Sequence, residues 1–168
     1  MRIVVFSDTH QNTELFSQCV RQAMDDGKTD VLIHCGDGVR DLEAIEGELL
    51  RRNPHIRIYA VRGNCDLTAF QYPGTETANL NGVRALITHG HLYGVKHGLG
   101  PLAKAAADIG ARLAFFGHTH QPLAKEKHGV KLINPGSLSA LVQAGNAYLE
   151  VTVDEVGAVV ERFIKIHS

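Results

Sequence analysis

Five short segments of this chain each follow an apolar run with residue types that bind metal ions. They read VVFSDTH, VLIHCGD, IYAVRGNCD, ALITHGH and LAFFGHTH. Their carboxylate, amide and imidazole groups are the donors of catalytic transition-metal sites, whereas structural zinc sites favour cysteine pairs. A single such cluster would carry little weight, but five of them predict one metal site. The candidate ligands are Asp8, His10, Asp37, Asn64, His89, His118 and His120.

The number of donors predicts two metal ions and an anionic substrate. Seven ligands exceed the needs of one four-coordinate ion and suit two ions that share a bridge. We expect two divalent ions, with manganese first and nickel, iron, cobalt or zinc as alternatives. Two such ions, two carboxylates and a bridging hydroxide leave a net charge of about +1, which favours a phosphate ester. Ions roughly 3.5 to 4 Å apart activate a bridging hydroxide and clamp the phosphoryl oxygens.

The elements that must position these residues alternate between strand and helix in the first half of the chain. RIVVF, a helix over 13–26, VLIH, a helix over 41–52 and IRIYAV predict a parallel βαβαβ unit. The carboxyl ends of such strands line one rim, where these folds bind ligands. Residues two apart on an extended segment share a face, so Asp8 with His10, and His118 with His120, are expected to point together. Adjacent glycines, Gly63 among them, indicate close backbone approach.

The second half of the chain changes to hairpins. We expect turns at Asn81-Gly82, near His128-Gly129 and near 155–157, with one helix over 98–109 between the first two hairpins. This order predicts an α/β (α+β mixed) fold, a four-layer αββα sandwich of two mixed sheets flanked by helices. The metal site would lie at the carboxyl ends of the strands. We expect a single domain over residues 1–168.

Composition indicates the cellular compartment of the protein and the kind of molecule that it binds. The formal net charge is −1 and no block of like charges occurs, so there is no strong signal for nucleic-acid binding. The sequence has no run of 18 apolar residues, so we expect no membrane span. The apolar run IVVF near the first residue is too short for the apolar core of a signal peptide. Three cysteines without paired spacing suit a reducing compartment. We therefore expect a cytoplasmic protein with a small-molecule substrate.

The ordered series SDTH, CGD, GNCD, THGH and FGHTH resembles that of the calcineurin-like metallophosphoesterases. INPGS at 133–137 is similar to a later loop of the same family, and the short length resembles its YfcE-like phosphodiesterases. The resemblance implies a four-layer αββα fold and hydrolysis of a phosphodiester by a metal-bridging hydroxide. It also implies that Asp8, His10 and His120 hold one metal, that Asn64, His89 and His118 hold the other, and that Asp37 bridges them. Gln11 replaces a glycine that is common after the first motif.

Cys65 departs from the family pattern, which has a histidine at this position. The family histidine is thought to stabilise the transition state or protonate the leaving group, and a neutral thiol is a weak donor. Three interpretations of Cys65 stand: a nucleophile, a metal ligand or a small packed residue, of which we favour the packed residue. Proton delivery would then fall to His91 or His97, and we assign contact with phosphate to His91. Asp66 is expected to support the turn.

Two classes of function remain open on the sequence. The favoured one is a metal-dependent phosphodiesterase in which Asp37, Asn64, His91 and His97 carry the catalytic roles. A phosphomonoesterase or nuclease of the same superfamily is the alternative enzyme. The alternative outside catalysis is a binding scaffold similar to the retromer subunit of this superfamily, although an intact ligand set favours an enzyme. The final segment AVVERFIKI could pair with a second copy at a sheet edge or lie buried, so a homo-oligomer is possible.

Overall fold

The computed structural model describes residues 1–140 and 146–166, and these form ten strands and three α-helices. The strands are β1 (Arg2–Phe6), β2 (Val31–His34), β3 (Arg57–Ala60), β4 (Thr75–Leu80), β5 (Val83–Thr88), β6 (Leu113–Phe115), β7 (Leu123–Lys127), β8 (Val130–Asn134), β9 (Asn146–Val153) and β10 (Val159–Ile166). The helices are α1 (Thr13–Ala23), α2 (Val39–Arg52) and α3 (Gly100–Asp108), with a short 3₁₀ helix at His91–Tyr93.

Two five-stranded mixed sheets form the centre of the fold. The first has the order β10-β9-β1-β2-β3, and the second has the order β4-β5-β6-β8-β7. Strands β1, β2 and β3 run parallel, as do β5, β6 and β8, so the loops after them gather at one rim. The predicted hairpins β4–β5, β7–β8 and β9–β10 are all confirmed as antiparallel pairs.

Apolar side chains divide the molecule into four layers. Alternate residues of both sheets, such as Ile33 and Phe115, pack in a shared core between the sheets. The opposite face of the first sheet packs on α1 and α2 through residues such as Phe16 and Leu42. Helix α3 covers the second sheet with Leu102 and its neighbours. The predicted αββα sandwich is confirmed.

The helix ends differ from the predicted ones for local reasons. Helix α1 stops at Ala23, not at residue 26, because Asp26 accepts the Lys28 backbone N–H at 3.1 Å and ion-pairs with Arg2. Helix α2 begins earlier than predicted, at Val39, because a carboxylate from another loop accepts its first backbone N–H groups. Helix α3 is one or two residues shorter at each end than predicted.

Strand β10 forms one edge of the first sheet. Its Val160 side chain is 67 % exposed, so the final segment is an edge strand and not a buried one. Pairing of this edge with a second copy stays a prediction. No helix in residues 1–140 and 146–166 combines the length and apolarity that a membrane span requires.

Candidate metal centre

The loops after β1, β2, β5 and β6 bring six of the seven predicted ligands together, and five of those six have left-handed backbone. Their φ angles range from 46° to 66°, a region that non-glycine residues seldom adopt. The i, i+2 pairs therefore converge, but not by the strand alternation that we expected. Such strain clusters at functional sites, where surrounding contacts hold it. The five residues are Asp8, His10, Asp37, His118 and His120.

The first ligand group centres on one oxygen of Asp8, which is fully buried. Its Oδ1 lies 3.0 Å from Nε2 of His120 and 3.7 Å from Nε2 of His10. The other oxygen, Oδ2, accepts the backbone N–H of His118 at 3.0 Å. One ligand atom from each of Asp8, His10 and His120 lies within 4.8 Å of the others, so these three could hold one metal ion.

The second ligand group joins Asp37, His89 and His118 within the same 4.8 Å limit. Nε2 of His89 lies 3.2 Å from Oδ2 of Asp37 and 3.1 Å from Nδ1 of His118. Nδ1 of His89 donates to the Cys35 carbonyl at 2.8 Å, which directs Nε2 at the centre. Fixing the tautomer of a ligand histidine in this way is typical of metal sites.

The two groups meet at the carboxylates. Oδ2 of Asp37 lies 3.9 Å from Nε2 of His10 in the first group, and Oδ1 of Asp8 lies 3.9 Å from Nε2 of His89 in the second. Each carboxylate therefore contacts imidazoles of both groups. Asp37 has the position that a bridging ligand requires.

The electrostatics of the centre keep both carboxylates ionised. Burial would raise the pKa of Asp8, but the neighbouring imidazoles of His10 and His120 lower this pKa well below its ordinary range. Burial likewise opposes ionisation of Asp37, yet the hydrogen bond and charge of His89 lower the pKa of Asp37 to about 2. Two ionised carboxylates in a nearly dry site need a cation.

The pKa values of His10 and His118 are shifted in opposite directions. The Asp8 carboxylate beside its ring raises the pKa of His10. Burial, followed by the charges of His89 and Lys96, lowers the pKa of His118 to about 4. Neutral imidazole is the form that binds a metal, so His118 is ready to act as a ligand at neutral pH.

One buried oxygen atom without a hydrogen-bond partner among the described residues indicates whether a metal ion fits this site. Oδ1 of Asp8 is buried and makes no hydrogen bond within the described part of the chain, although three imidazole Nε2 atoms lie within 3.9 Å of it. A buried charged oxygen without a partner is rare and calls for an ion. The mixed nitrogen and oxygen donors around it suit a divalent transition metal.

Two glycines allow the loops to approach this closely. A Cβ atom on Gly63 would stand 2.0 Å from Oδ1 of Asp37, and one on Gly117 would stand 2.5 Å from Oδ2 of Asp8. No other residue leaves room for the ligand carboxylates at these points. The expectation of close backbone approach beside the ligands is confirmed for both glycines.

Asp66 supports the centre from the third motif, as predicted. Its carboxylate accepts the backbone N–H groups of Asp37 and Gly63 at 2.8 Å, of Gly38 at 3.0 Å and of Val39 at 3.2 Å. These bonds fasten the loop after β3 to the loop after β2. Asp66 therefore fixes the loop that carries Asp37 through bonds to its backbone.

Sequence reasoning missed Asp41. This residue is 4 % exposed in the first turn of α2 and accepts the Gln11 backbone N–H at 3.0 Å. It also accepts the hydroxyl groups of Thr9 and Thr13. Asp41 thus holds the left-handed loop that carries His10. An acidic residue beside the second motif was the available signal, but the sequence does not show that it is buried.

The INPGS segment supports the centre from the end of β8. Asn134 is buried and donates to the Gly117 carbonyl at 2.8 Å and to the Thr119 hydroxyl at 3.0 Å, beside His118. Ser137 donates its hydroxyl to the Asp8 carbonyl at 2.8 Å. These contacts explain why this loop accompanies the histidine motif: it holds the ligand-bearing loops after β1 and β6.

The third motif differs from expectation at Cys65. The residue is exposed, so the interpretation of Cys65 as a small packed residue is wrong. Its backbone N–H donates to Oδ1 of Asp37 at 2.7 Å, and its Sγ joins His10 and Asp37 within 4.8 Å. Partial burial, followed by the Asp37 carboxylate, raises the pKa of the Cys65 thiol to about 11. The neutral thiol faces the centre and is a poor nucleophile.

Asn64 is exposed at the margin of the site. Its Nδ2 donates to Sγ of Cys65 at 3.3 Å, and no other hydrogen bond of this side chain occurs within residues 1–140 and 146–166. The ligand role of Asn64 therefore stays a prediction. The second group is completed by Asp37 instead.

The two proposed proton donors have different positions. The ring of His91 lies 5.4 Å from that of His89 and 6.2 Å from that of His118, and its Nδ1 is buried without a described partner. His97 is exposed, and none of the side-chain contacts in the described ranges joins it to the centre. The geometry favours His91, and the role of His97 remains only a prediction.

A four-layer sandwich with this centre at its strand ends defines a metal-dependent phosphoesterase. The chain belongs to the calcineurin-like phosphoesterase superfamily, because the profile of the "Calcineurin-like phosphoesterase superfamily domain" matches residues 1–155. A Bacillus subtilis relative named "Probable metallophosphoesterase YsnB" is 31% identical over 162 residues, which cover 95% of this chain and 89% of the relative. Both the suspected family and the enzyme class are confirmed.

Further relatives are more distant or match locally. Escherichia coli "Phosphodiesterase YfcE" is 35% identical over 97 residues, 54% of this chain and 48% of YfcE. The solved structure of an archaeal phosphodiesterase has a TM-score of 0.75 at 21% identity and covers 98% of this chain and 100% of its own. Entamoeba histolytica Vps29, solved with zinc, has a TM-score of 0.71 at 19% identity over 98% and 99% of the two chains. These two structures show that the fold is shared.

Proposed function

We propose that the protein is a metal-dependent phosphodiesterase that hydrolyses a small phosphodiester at a dinuclear centre. The observation that carries this proposal is the buried, unpartnered Oδ1 of Asp8 with three imidazoles around it. Residues 1–168 would form one domain. A cytoplasmic location is proposed as well, because all three cysteines are free, which suits a reducing compartment.

The seven predicted ligands divide between two ions in this proposal. Asp8, His10 and His120 would hold one ion, and His89, His118 and Asn64 would hold the other, with Asp37 shared between them. Manganese is the first choice, with nickel, iron, cobalt or zinc as alternatives. Such ions supply Lewis-acid stabilisation of the phosphoryl oxygens and a nucleophile at neutral pH.

Other residues of the protein hold the candidate ligands in position and would contact the substrate. The Cys35 carbonyl fixes the His89 tautomer, and Asp66 fixes the backbone of Asp37. His91 lies on the open side of the centre, where it would contact the phosphate or the leaving oxygen. This proposal gives Cys65 no nucleophilic step, since the pKa of its thiol is raised to about 11.

The charge of the rim supports a diester over a monoester. A monoester dianion needs cationic side chains beyond the metals. The Arg62 guanidinium stacks on Phe70 at 5.3 Å and Arg40 pairs with Glu43 at 2.6 Å, while Lys96, whose charge acts on His118, is a further cation near the centre. Two carboxylates do not neutralise two divalent ions, and the remaining positive charge suits a diester monoanion.

The test is a matrix of metals and substrates. The metal-free protein is loaded separately with Mn²⁺, Ni²⁺, Co²⁺, Fe²⁺ and Zn²⁺ and assayed with bis(p-nitrophenyl) phosphate and p-nitrophenyl phosphate. We expect the highest kcat/KM for the diester with Mn²⁺. Equal rates or a preference for the monoester would favour a phosphatase.

The same matrix distinguishes a nuclease and a binding scaffold from a small-molecule phosphodiesterase. A nuclease would cleave an oligonucleotide faster than the small diester, although the chain carries no basic tract. A scaffold like the retromer subunit would bind metal without hydrolysing any of the esters. Vps29 supports a scaffold at the level of the fold only.

A further inference from the structure

We propose that a cleft beside the metal centre binds a planar aromatic or heteroaromatic ring on one ester arm of the substrate. The inference rests on the proposed function and names the substrate class more closely. The cleft has a volume of about 220 Å³ and lies between the loop after β3 and the 3₁₀ helix after β5. Its main side chains are Arg62, Asn64, Leu67, Phe70, His91 and Leu92.

Apolar exposure is concentrated in this cleft. Leu67 and Phe70 are each 75% exposed, and Leu92 is 62% exposed. They are three of the seven large apolar side chains that are exposed within residues 1–140 and 146–166, and they come from two separate loops. A single exposed leucine needs no explanation, but a grouped apolar surface rimmed by polar residues marks a binding site.

Phe70 offers an exposed aromatic surface next to Arg62. The Arg62 guanidinium lies 5.3 Å from the centroid of the Phe70 ring, and the Arg62 backbone N–H donates to the Pro73 carbonyl at 2.9 Å. Arg62 therefore lies over the Phe70 ring, which remains 75% exposed. A planar ligand ring gains stacking energy on such an aromatic face, and an adjacent guanidinium strengthens it.

The cleft is continuous with the centre. Its lining includes Gly63, Asn64 and His91. A Cβ atom on Gly63 would meet Asp37, and the His91 ring lies 5.4 Å from the His89 ring. A phosphoryl group at the centre therefore extends an ester arm on this side directly into the cleft. Whole-ligand pockets commonly exceed roughly 300 Å³, so this cleft is sized for one substituent.

The chemistry of the lining favours a ring with polar edges over an alkyl chain. Apolar faces come from Leu67, Phe70 and Leu92, while Asn64 and His91 add polar groups at the rim. Flat ring systems with nitrogen and oxygen at their edges use both features at once. An alkyl arm would leave these polar groups unused.

The experiment compares three phosphate monoesters as competitive inhibitors of bis(p-nitrophenyl) phosphate hydrolysis by the Mn²⁺-loaded protein. Methyl phosphate has no ring, cyclohexyl phosphate has an apolar ring that is not planar, and phenyl phosphate has a planar ring. We expect phenyl phosphate to bind about tenfold more tightly than methyl phosphate, with cyclohexyl phosphate between them.

Variants then locate the effect. Phe70→Ala and Leu92→Ala should reduce the preference for phenyl over methyl phosphate to about twofold or less. Val160→Ala, which truncates an equally exposed apolar side chain on the remote edge strand β10, should leave that preference unchanged. Equal inhibition by all three esters, or an unchanged preference in Phe70→Ala, would overturn the inference while leaving the proposed function intact.

A second measurement does not depend on hydrolysis. The chain contains no tryptophan, so Phe70→Trp places its single tryptophan in the cleft, where it can be excited selectively over the four tyrosines. Its emission should change on titration with phenyl phosphate at concentrations where methyl phosphate has no effect. If the metal-loaded protein hydrolyses no diester, the proposed function is wrong, and this titration still decides whether the cleft binds a ring. An emission that responds equally to both esters would count against the cleft.

Discussion

Asp66 and Asp37 hold each other's loops in place. Oδ2 of Asp66 accepts the backbone N–H of Asp37 at 2.8 Å, and Oδ1 of Asp37 accepts the backbone N–H of Cys65, the residue before Asp66, at 2.7 Å. The loops after β2 and β3 are thereby closed on one another beside the centre. The orientation of Asp37 therefore depends on Asp66, a residue that is not part of the candidate ligand groups.

Asp66→Asn should weaken metal binding by about 10- to 100-fold, because an amide NH₂ would replace an oxygen that accepts two backbone N–H groups. The measurement is a calorimetric titration of the metal-free protein with Mn²⁺. Asp154→Asn is the matched control, since Asp154 also accepts two backbone N–H groups, those of Val156 and Ala158, but in the remote β9–β10 turn. Equal affinities for Asp66→Asn and the control would contradict this role of Asp66.

Asp37→Asn should lower diester hydrolysis by at least about 100-fold and reduce the number of bound ions, because Asp37 contacts imidazoles of both ligand groups. Hydrolysis rates and metal content are measured on the same samples. Asp108→Asn, at the exposed end of α3, is the control. A variant of Asp37 with near-normal activity would show that the shared-ligand arrangement is wrong.

Cys65→His should raise the rate for diesters with poor leaving groups by about 10-fold or more, since an imidazole beside Asp37 donates a proton more readily than a thiol of raised pKa. Diesters with p-nitrophenyl leaving groups should gain less, because they need little acid assistance. Cys65→Ser controls for loss of the sulfur. Equal gains for good and poor leaving groups would refute the acid role at this position.

His34 should make the metal-free protein less stable in mild acid. It is fully buried on β2 beside Phe16, and burial lowers its pKa to about 4. Between pH 6.5 and 4 the unfolded chain binds a proton that folded His34 does not, so the free energy of unfolding falls as pH falls through this window. The contribution is up to about 3 kcal/mol.

The check is urea unfolding of the metal-free wild type and His34→Gln at pH 7 and pH 5. The glutamine keeps an acceptor for the Gly36 backbone N–H, which bonds to Nδ1 of His34 at 3.2 Å. The loss of stability between the two pH values should be smaller in His34→Gln than in the wild type. His128→Gln, in an exposed hairpin turn, should behave like the wild type. An equal loss in His34→Gln and the wild type would exclude His34 as the cause.

The sequence was sufficient for the layers and for the convergence of six of the seven candidate ligands, because apolar periodicity and turn residues such as Asn81-Gly82 are local signals. It did not show how the ligand loops are shaped. Asp8 and His10 have left-handed backbone because Asp41, some thirty residues away, and Ser137 hold their loop. Such contacts between distant segments leave no periodic trace.

The exposure of Cys65 was unpredictable for a related reason. A small apolar residue between Asn64 and Asp66 suggests packing. The structure instead places this loop at the margin of the centre, where the Cys65 backbone N–H donates to Asp37. The side chain is consequently exposed there, with its Sγ near His10 and Asp37. Only the arrangement of three loops around one carboxylate determines this.

The most direct test of the dinuclear phosphodiesterase is the rate of bis(p-nitrophenyl) phosphate hydrolysis as a function of Mn²⁺ bound per chain. Metal-free protein is equilibrated with increasing Mn²⁺, and each sample is analysed for metal content and initial rate. The proposal predicts little activity up to one ion per chain, a rise as the second ion binds and a plateau at two. Full activity at one ion per chain, or in the metal-free protein, would contradict it.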